Sequence, residues 1–249
     1  MKKLDHKELL DAGVHFGHLK SKWNPKMLQY IFMEKKGIHL IDLNKTIVKA
    51  EEAAAALKQV AKSGRKILFV ATKKQAKEQM KALAESVNMP HVTERWLGGM
   101  LTNFGTIKKS IKKMQTIDTL LADESNTSLT KKERLMMSRQ RAKLETVLGG
   151  MKDLNRLPEA VFMVDVLHEH IAVAESRKLN IRTFGMVDTN SNPNLIDFPI
   201  PANDDASKSI NIVIEYIFAA VKEGLEERES SEGAKKAAAK KEEATEKKA

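Results

Sequence analysis

The chain has 249 residues, 42% of them hydrophobic, enough for a sizeable core, which excludes disorder throughout. Its 43 Lys and Arg against 33 Asp and Glu leave a formal charge of +10, so an anionic partner is expected, nucleic acid before an acidic membrane surface. The absence of cysteine excludes disulfides and thiolate chemistry, and neither the charged start MKKLDHKELLDAG nor any apolar run has the form of a signal peptide or a membrane span, so a soluble protein of a reducing cytoplasm is expected.

Residues 5–12 predict a short helix with Leu4, Leu9, Leu10 and Ala12 on one side, stopped by Gly13. The next stretch, GVHFGHLKSKWNPKMLQYIF, has no steady period and reads as a structured loop, with Lys20, Lys22 and Lys26 set among aromatic residues. Such interleaving suits stacking on unpaired bases and neutralisation of phosphates, although Phe16 and Trp23 serve equally well as core anchors. Residues 30–32 and 38–41 predict an extended pair across a turn, and 43–62 an alanine-rich helix closed by Ser63 and Gly64. A buried strand over 66–71 leads into a helix over 74–87 and a further short strand near 91–94.

The stretch RWLGGMLTNFGTIKKSIKKM (95–114) joins a tight glycine turn to a strong helix. Trp96 and Leu97 seat the turn by packing, and Thr102 or Asn103 caps the helix. Ile107, Ile111, Met114, Ile117 and Leu121 form an apolar stripe, with Lys108, Lys109, Lys112 and Lys113 off it. A polar break over 123–130 separates this helix from a second carrying Leu144, Val147, Leu148, Met151 and Leu154, which predicts an antiparallel helical hairpin. Between 103 and 156 twelve Lys and Arg face six acids, so over half of the excess charge resides there.

Alternation then resumes, with strands over 160–165 and 181–188, a helix over 169–178, the loop TNSNPNLI, a strand near 197–200 and a last helix over 206–227. Right-handed crossovers make this an α/β fold with a mainly parallel, doubly wound sheet, helices on both faces, and the hairpin inserted in its middle. The expected division is a sheet domain over 1–102 and 156–228, a hairpin over 103–155 and a charged tail over 229–249. The tail has too few apolar residues to order alone and is expected to be disordered, or a frayed helix that orders on a partner.

An open sheet of this kind invites a nucleotide- or metal-dependent enzyme, with Asp165, Asp188, His168 and His170 near the carboxyl ends of its strands. Against that alternative, no G-x-G-x-x-G, G-x-x-x-x-G-K-[ST] or G-x-S-x-G is present, and the loop after FVAT is Lys73, Lys74, Gln75 without glycine. Asp188, Asp204 and Asp205 should gather at one sheet edge within reach of His15 and His18. His18 with those three carboxylates is the candidate zinc or magnesium site, although aspartates at strand ends more often cap helices and turn loops. A second rival is an interaction protein whose hairpin docks acidic partners or membranes.

Nine stretches in this order carry a family resemblance: GVHFGH (13–18), WNPKM (23–27), ILFVATK (67–73), RWLGGMLTNF (95–104), LTKKE (129–133), LPEAVFMVD (157–165), HEHIAV (168–173), VDTNSNP (187–193) and IPANDDA (200–206). Over about residues 5–225 the chain closely resembles the ribosomal protein S2 (uS2) family of the bacterial small subunit. The resemblance implies a Rossmann-like (flavodoxin-like) domain with an inserted coiled-coil hairpin, no enzyme activity and no nucleotide. It also implies a place between head and body of the subunit, against 16S ribosomal RNA and neighbouring small-subunit proteins, where the chain helps to seat the mRNA-binding protein S1, with no membrane and no DNA as partner. The residues expected on RNA are Lys20, Lys22, Lys26, Lys73, Lys74, Arg95, Asn103, Lys108, Lys109 and Lys112.

Overall fold

The computed structural model describes residues 4–122 and 130–246, with side chains through Ser231. Its centre is a five-stranded sheet of β4 (Ile67–Val70), β5 (His91–Val92), β6 (Ala160–Met163), β7 (Arg182–Val187) and β8 (Phe198–Pro201), in the order β5-β4-β6-β7-β8 and parallel throughout. These strands are continuous apolar runs because both sheet faces are covered. Phe69, Phe162 and Phe184 point to one face, onto α2 (Leu43–Lys62), α3 (Lys77–Ser86) and the start of α7 (Ser207–Glu246). Leu68, Val70, Val161 and Met163 point to the other, onto α6 (His170–Lys178) and the base of the hairpin. The strand order reverses between β4 and β6, and that reversal is the crevice where doubly wound folds bind ligands.

A second, three-stranded antiparallel sheet precedes this one, in the order β1-β3-β2, with β1 at Phe16–Leu19, β2 at Ile31–Lys35 and β3 at Ile38–Ile41. The β2–β3 turn uses Lys36 and Gly37 at φ 53° and 76°, the left-handed pair that a two-residue hairpin requires. β1 corrects the expectation of a structured loop without a strand before residue 30. Its four residues show no burial alternation, so no period-two signal marks them, and they are held by β3 and by Thr189.

The helical hairpin enters between β5 and β6. Its arms are α4 (Phe104–Ala122) and α5 (Lys131–Leu148), antiparallel, with Asp118 paired to Arg141 far from the sheet and Lys108 Nζ donating to the Asn155 carbonyl near it. Ile111, Met114 and Ile117 are buried along α4 as the stripe predicts, while Leu144 and Val147 of α5 are only partly covered. Most of the expected polar break (123–129) lies outside the described residues. The last helix does not stop near 227 but runs to Glu246, and its extension needs no new nucleus because α7 is already anchored on α2.

Gly150, at the foot of α5, lies so close to β5 that an added Cβ would sit 2.2 Å from the His91 carbonyl oxygen, whereas a Cβ on Gly98 would meet nothing within 4 Å. Gly150→Ala should therefore destabilise the protein by about 1–3 kcal/mol in chemical denaturation, while Gly98→Ala should change it by less than about 0.5 kcal/mol.

Candidate functional site

Three motifs far apart in sequence meet at the carboxyl edge of the large sheet. β1 brings His18, the loop after β7 brings Asp188 to Asn190, and the loop after β8 brings Asn203 to Asp205. Gly17 permits the approach, since a Cβ there would sit 2.5 Å from Thr189. The Thr189 Oγ1 accepts from the His18 backbone N–H at 2.8 Å, and its carbonyl accepts from Asn24 at 2.7 Å. Asn203 fixes the other side, donating to the Gly13 carbonyl and accepting from the backbone N–H groups of Asp205 and Ala206 at the start of α7.

Within that frame His18 Nδ1 lies 3.0 Å from Asp188 Oδ2 and its Nε2 lies 3.3 Å from Asp205 Oδ2. The hydrogen bond to Asp188 raises the imidazole pKa above its ordinary value, although burial works against it. One ligand atom each from His18, Asp188, Asp204 and Asp205 all lie within 4.8 Å of one another, the set expected from sequence. Asp204 Oδ2 is buried with no donor among the described residues. Imidazole nitrogen with carboxylate oxygens is a zinc donor set, and a buried oxygen lacking a donor leaves a cation something to satisfy. The residues therefore fit a divalent ion.

Lys73, expected on RNA, occupies the crevice between β4 and β6 instead. Its ammonium lies 2.7 Å from Asp204, 2.7 Å from Asp205 and 3.1 Å from Asp165, with only 15% of the side chain exposed. A desolvated ammonium needs such partners, so the RNA assignment of Lys73 is revised. Burial lowers its pKa, but the bonds to Asp204 and Asp205 outweigh that and raise it. Asp204 moves the opposite way to the usual ion-pair partner, up to about 7, because burial and the neighbouring Asp165 and Asp188 outweigh the single shared ammonium. Four carboxylates around one lysine and one histidine are over-supplied with negative charge, and a proton on Asp204 relieves it. Beside them Glu169 accepts from the Thr72 amide and hydroxyl, so the loop after β4 is held by side chains where a nucleotide fold would offer bare backbone to phosphate.

The other expected residues lie on the surface. Lys22, Lys26, Lys74, Arg95, Lys109 and Lys112 are exposed and pair with no acid among the described residues, Lys20 pairs with Glu34 at 2.7 Å, and Asn103 accepts from Thr106. Lys108 is partly spent on the Asn155 carbonyl and lies over the Phe104 ring. Trp96 is buried, as its packing role requires.

Glu175 of α6 is a buried carboxylate that the sequence motifs do not mark. Its carboxylate accepts from Trp96 Nε1 (3.1 Å), from the backbone N–H groups of Gly99 (2.7 Å), Leu101 (3.0 Å) and Thr102 (2.9 Å), and from the Thr102 hydroxyl (3.0 Å). Burial pushes its pKa up, but those donors win and hold it below the ordinary value. An acid in step with Ala172, Val173 and Ser176 on the buried side of a helix is the signal that the sequence does carry.

A doubly wound sheet whose ligand crevice is filled by its own ion pairs, with a charged helical arm, defines a scaffold rather than a catalyst. The chain belongs to the ribosomal protein S2 family, whose model matches residues 9–224. It is 62% identical over 227 residues (91% of this chain, 89% of the relative) to the small ribosomal subunit protein uS2 of Cytophaga hutchinsonii. It is 60% identical over 230 residues (92% and 83%) to that of Bacteroides fragilis, and 57% identical over 230 residues (92% and 82%) to that of Porphyromonas gingivalis. The chain is accordingly a structural protein of the small ribosomal subunit, which places it in the cytoplasm, and the enzyme alternative falls. No helix among the described residues is long and apolar enough to cross a membrane.

Lys73→Met should destabilise the protein by about 3 kcal/mol, since it strands the carboxylates around it. Those carboxylates would then bind protons more readily folded than unfolded, so the loss should be larger at pH 8 than at pH 5. Thermal unfolding across pH checks the sign.

Proposed function

We propose that the chain binds 16S ribosomal RNA between the head and body of the small subunit, through exposed lysine and arginine of the basic loop, the glycine turn and the hairpin, and helps to seat protein S1 there. The observation that carries the reading is the set of exposed cations on α4 and beside β1 that pair with no acid among the described residues: Lys22, Lys26, Lys109 and Lys112. Contacts of this kind position the protein through phosphates more than they read sequence. Docking of another protein suits the small sheet, which leaves Phe32 70% exposed and Phe16, Leu19 and Met33 exposed as well.

The test is binding to 16S RNA across a salt series. Lys109→Ala with Lys112→Ala should weaken binding several-fold and flatten the slope of log affinity against log salt by about 1 per lysine. Unchanged affinity and slope would contradict the reading.

The edge cluster is the second part of the proposal. His18, Asp188, Asp204 and Asp205 hold a divalent cation, zinc before magnesium because of the imidazole, and the cation steadies the loops after β1, β7 and β8. Zinc at about 100 times its dissociation constant should then stabilise the protein by about 2.7 kcal/mol in thermal unfolding. The shift should vanish in Asp204→Asn; zinc that binds both proteins alike, or neither, would reject the site.

A further inference from the structure

We propose that Glu175 is the positioning residue of the hairpin: its buried carboxylate gathers the N–H groups of the glycine turn and so sets the direction in which α4 leaves the sheet. This rests on the reading that α4 presents its lysines to RNA, and it adds what fixes their place.

The geometry is unusual for a turn containing two adjacent glycines. Gly98 and Gly99 would be expected to flex, and Gly99 does adopt a backbone conformation disfavoured for other residues, at φ 89°. Yet the turn is closed around a single charged group. The two carboxylate oxygens divide the work, Oε1 accepting from the Trp96 indole and the Gly99 amide, Oε2 from the Leu101 and Thr102 amides and the Thr102 hydroxyl. Those donors occupy the last turns of chain before Phe104, where α4 begins. Met100 and Leu101, within the run of bonded amides, are fully or almost fully buried, so the turn cannot swing without exposing them. The opposite foot of the hairpin is held by contact, with Gly150 against the His91 carbonyl. The first foot has no such steric stop at Gly98, and the carboxylate supplies the constraint there.

Neutralising the group while keeping its shape separates positioning from packing. In Glu175→Gln one oxygen becomes an amide nitrogen that presents hydrogens to the same donors, so at least two of the bonds are lost. The chain has no cysteine, so spin labels attach cleanly at Ala55→Cys on α2 and Gln115→Cys on α4. Double electron–electron resonance on the parent protein should give one narrow distance distribution. The Glu175→Gln protein should keep its sheet, by circular dichroism, but give a broadened distribution, and its affinity for 16S RNA should fall about tenfold with every lysine intact. A folded Glu175→Gln protein with an unchanged narrow distribution would overturn the proposal. A broadened distribution with unchanged RNA affinity would uphold the positioning role and count against RNA contact by α4.

Should the variant not fold, the unaltered protein decides by hydrogen exchange. The amides of Gly99, Leu101 and Thr102 and the Trp96 indole N–H should exchange at rates approaching those of β6, the buried central strand of the sheet. Exchange of these four at the rate of the exposed Gly98 amide, while β6 stays protected, would overturn the proposal.

Discussion

A buried ammonium must be surrounded by acceptors, and the environment of Lys73 meets that requirement. Lys73 reaches from the end of β4 to Asp165 after β6 and to Asp204 and Asp205 after β8, drawing three loops over the carboxyl edge of the sheet. Asp204 and Asp205 are also the neighbours of His18, which extends the cluster to β1 and the first forty residues. The small antiparallel sheet and the large parallel one are thereby joined through charge as well as through the backbone bond of Asn203 to Val14. The crevice that would bind a nucleotide in a catalytic relative of this architecture is filled from within, which is how the fold becomes scaffold.

The hairpin shows the complementary solution. Its outer part is held by a thin apolar seam and the Asp118–Arg141 pair, and α5 exposes Leu135 and Met136 along with its charges. Its base is much better fixed. Met151 and Leu154 join the core beneath the sheet, and the Glu175 carboxylate closes the turn that starts α4, whereas the capping box of Thr130 and Glu133 starts α5 at the outer end. On the proposed RNA reading, a firmly mounted arm would let weak phosphate contacts add up, because little orientational freedom would remain to be lost on binding.

Much of this is legible in the amino-acid order. The β/α alternation, its interruption by 103–155 and the phase of the α4 stripe come from periodicity, and the convergence of Asp188, Asp204 and Asp205 comes from parallel topology, which brings strand ends to one edge. β1 is not legible, because a strand of Phe, Gly, His and Leu lacks alternation and its partner comes twenty residues later. Lys73 misleads for a physical reason: a lysine after a buried strand looks solvent-bound until the carboxylates of two distant loops are placed around it. Glu175 stands on the buried side of its helix, but three of its five donors are backbone amides, which leave no trace in side-chain pattern.

The most direct test of the central claim is sedimentation of cell lysate through a sucrose gradient, with this chain followed across the fractions before and after a high-salt wash. An electrostatically held constituent of the small subunit should run in the small-subunit peak at close to one copy per particle and be partly released by salt. Recovery of the chain at the top of the gradient, with none in the small-subunit peak at low salt, would contradict the account.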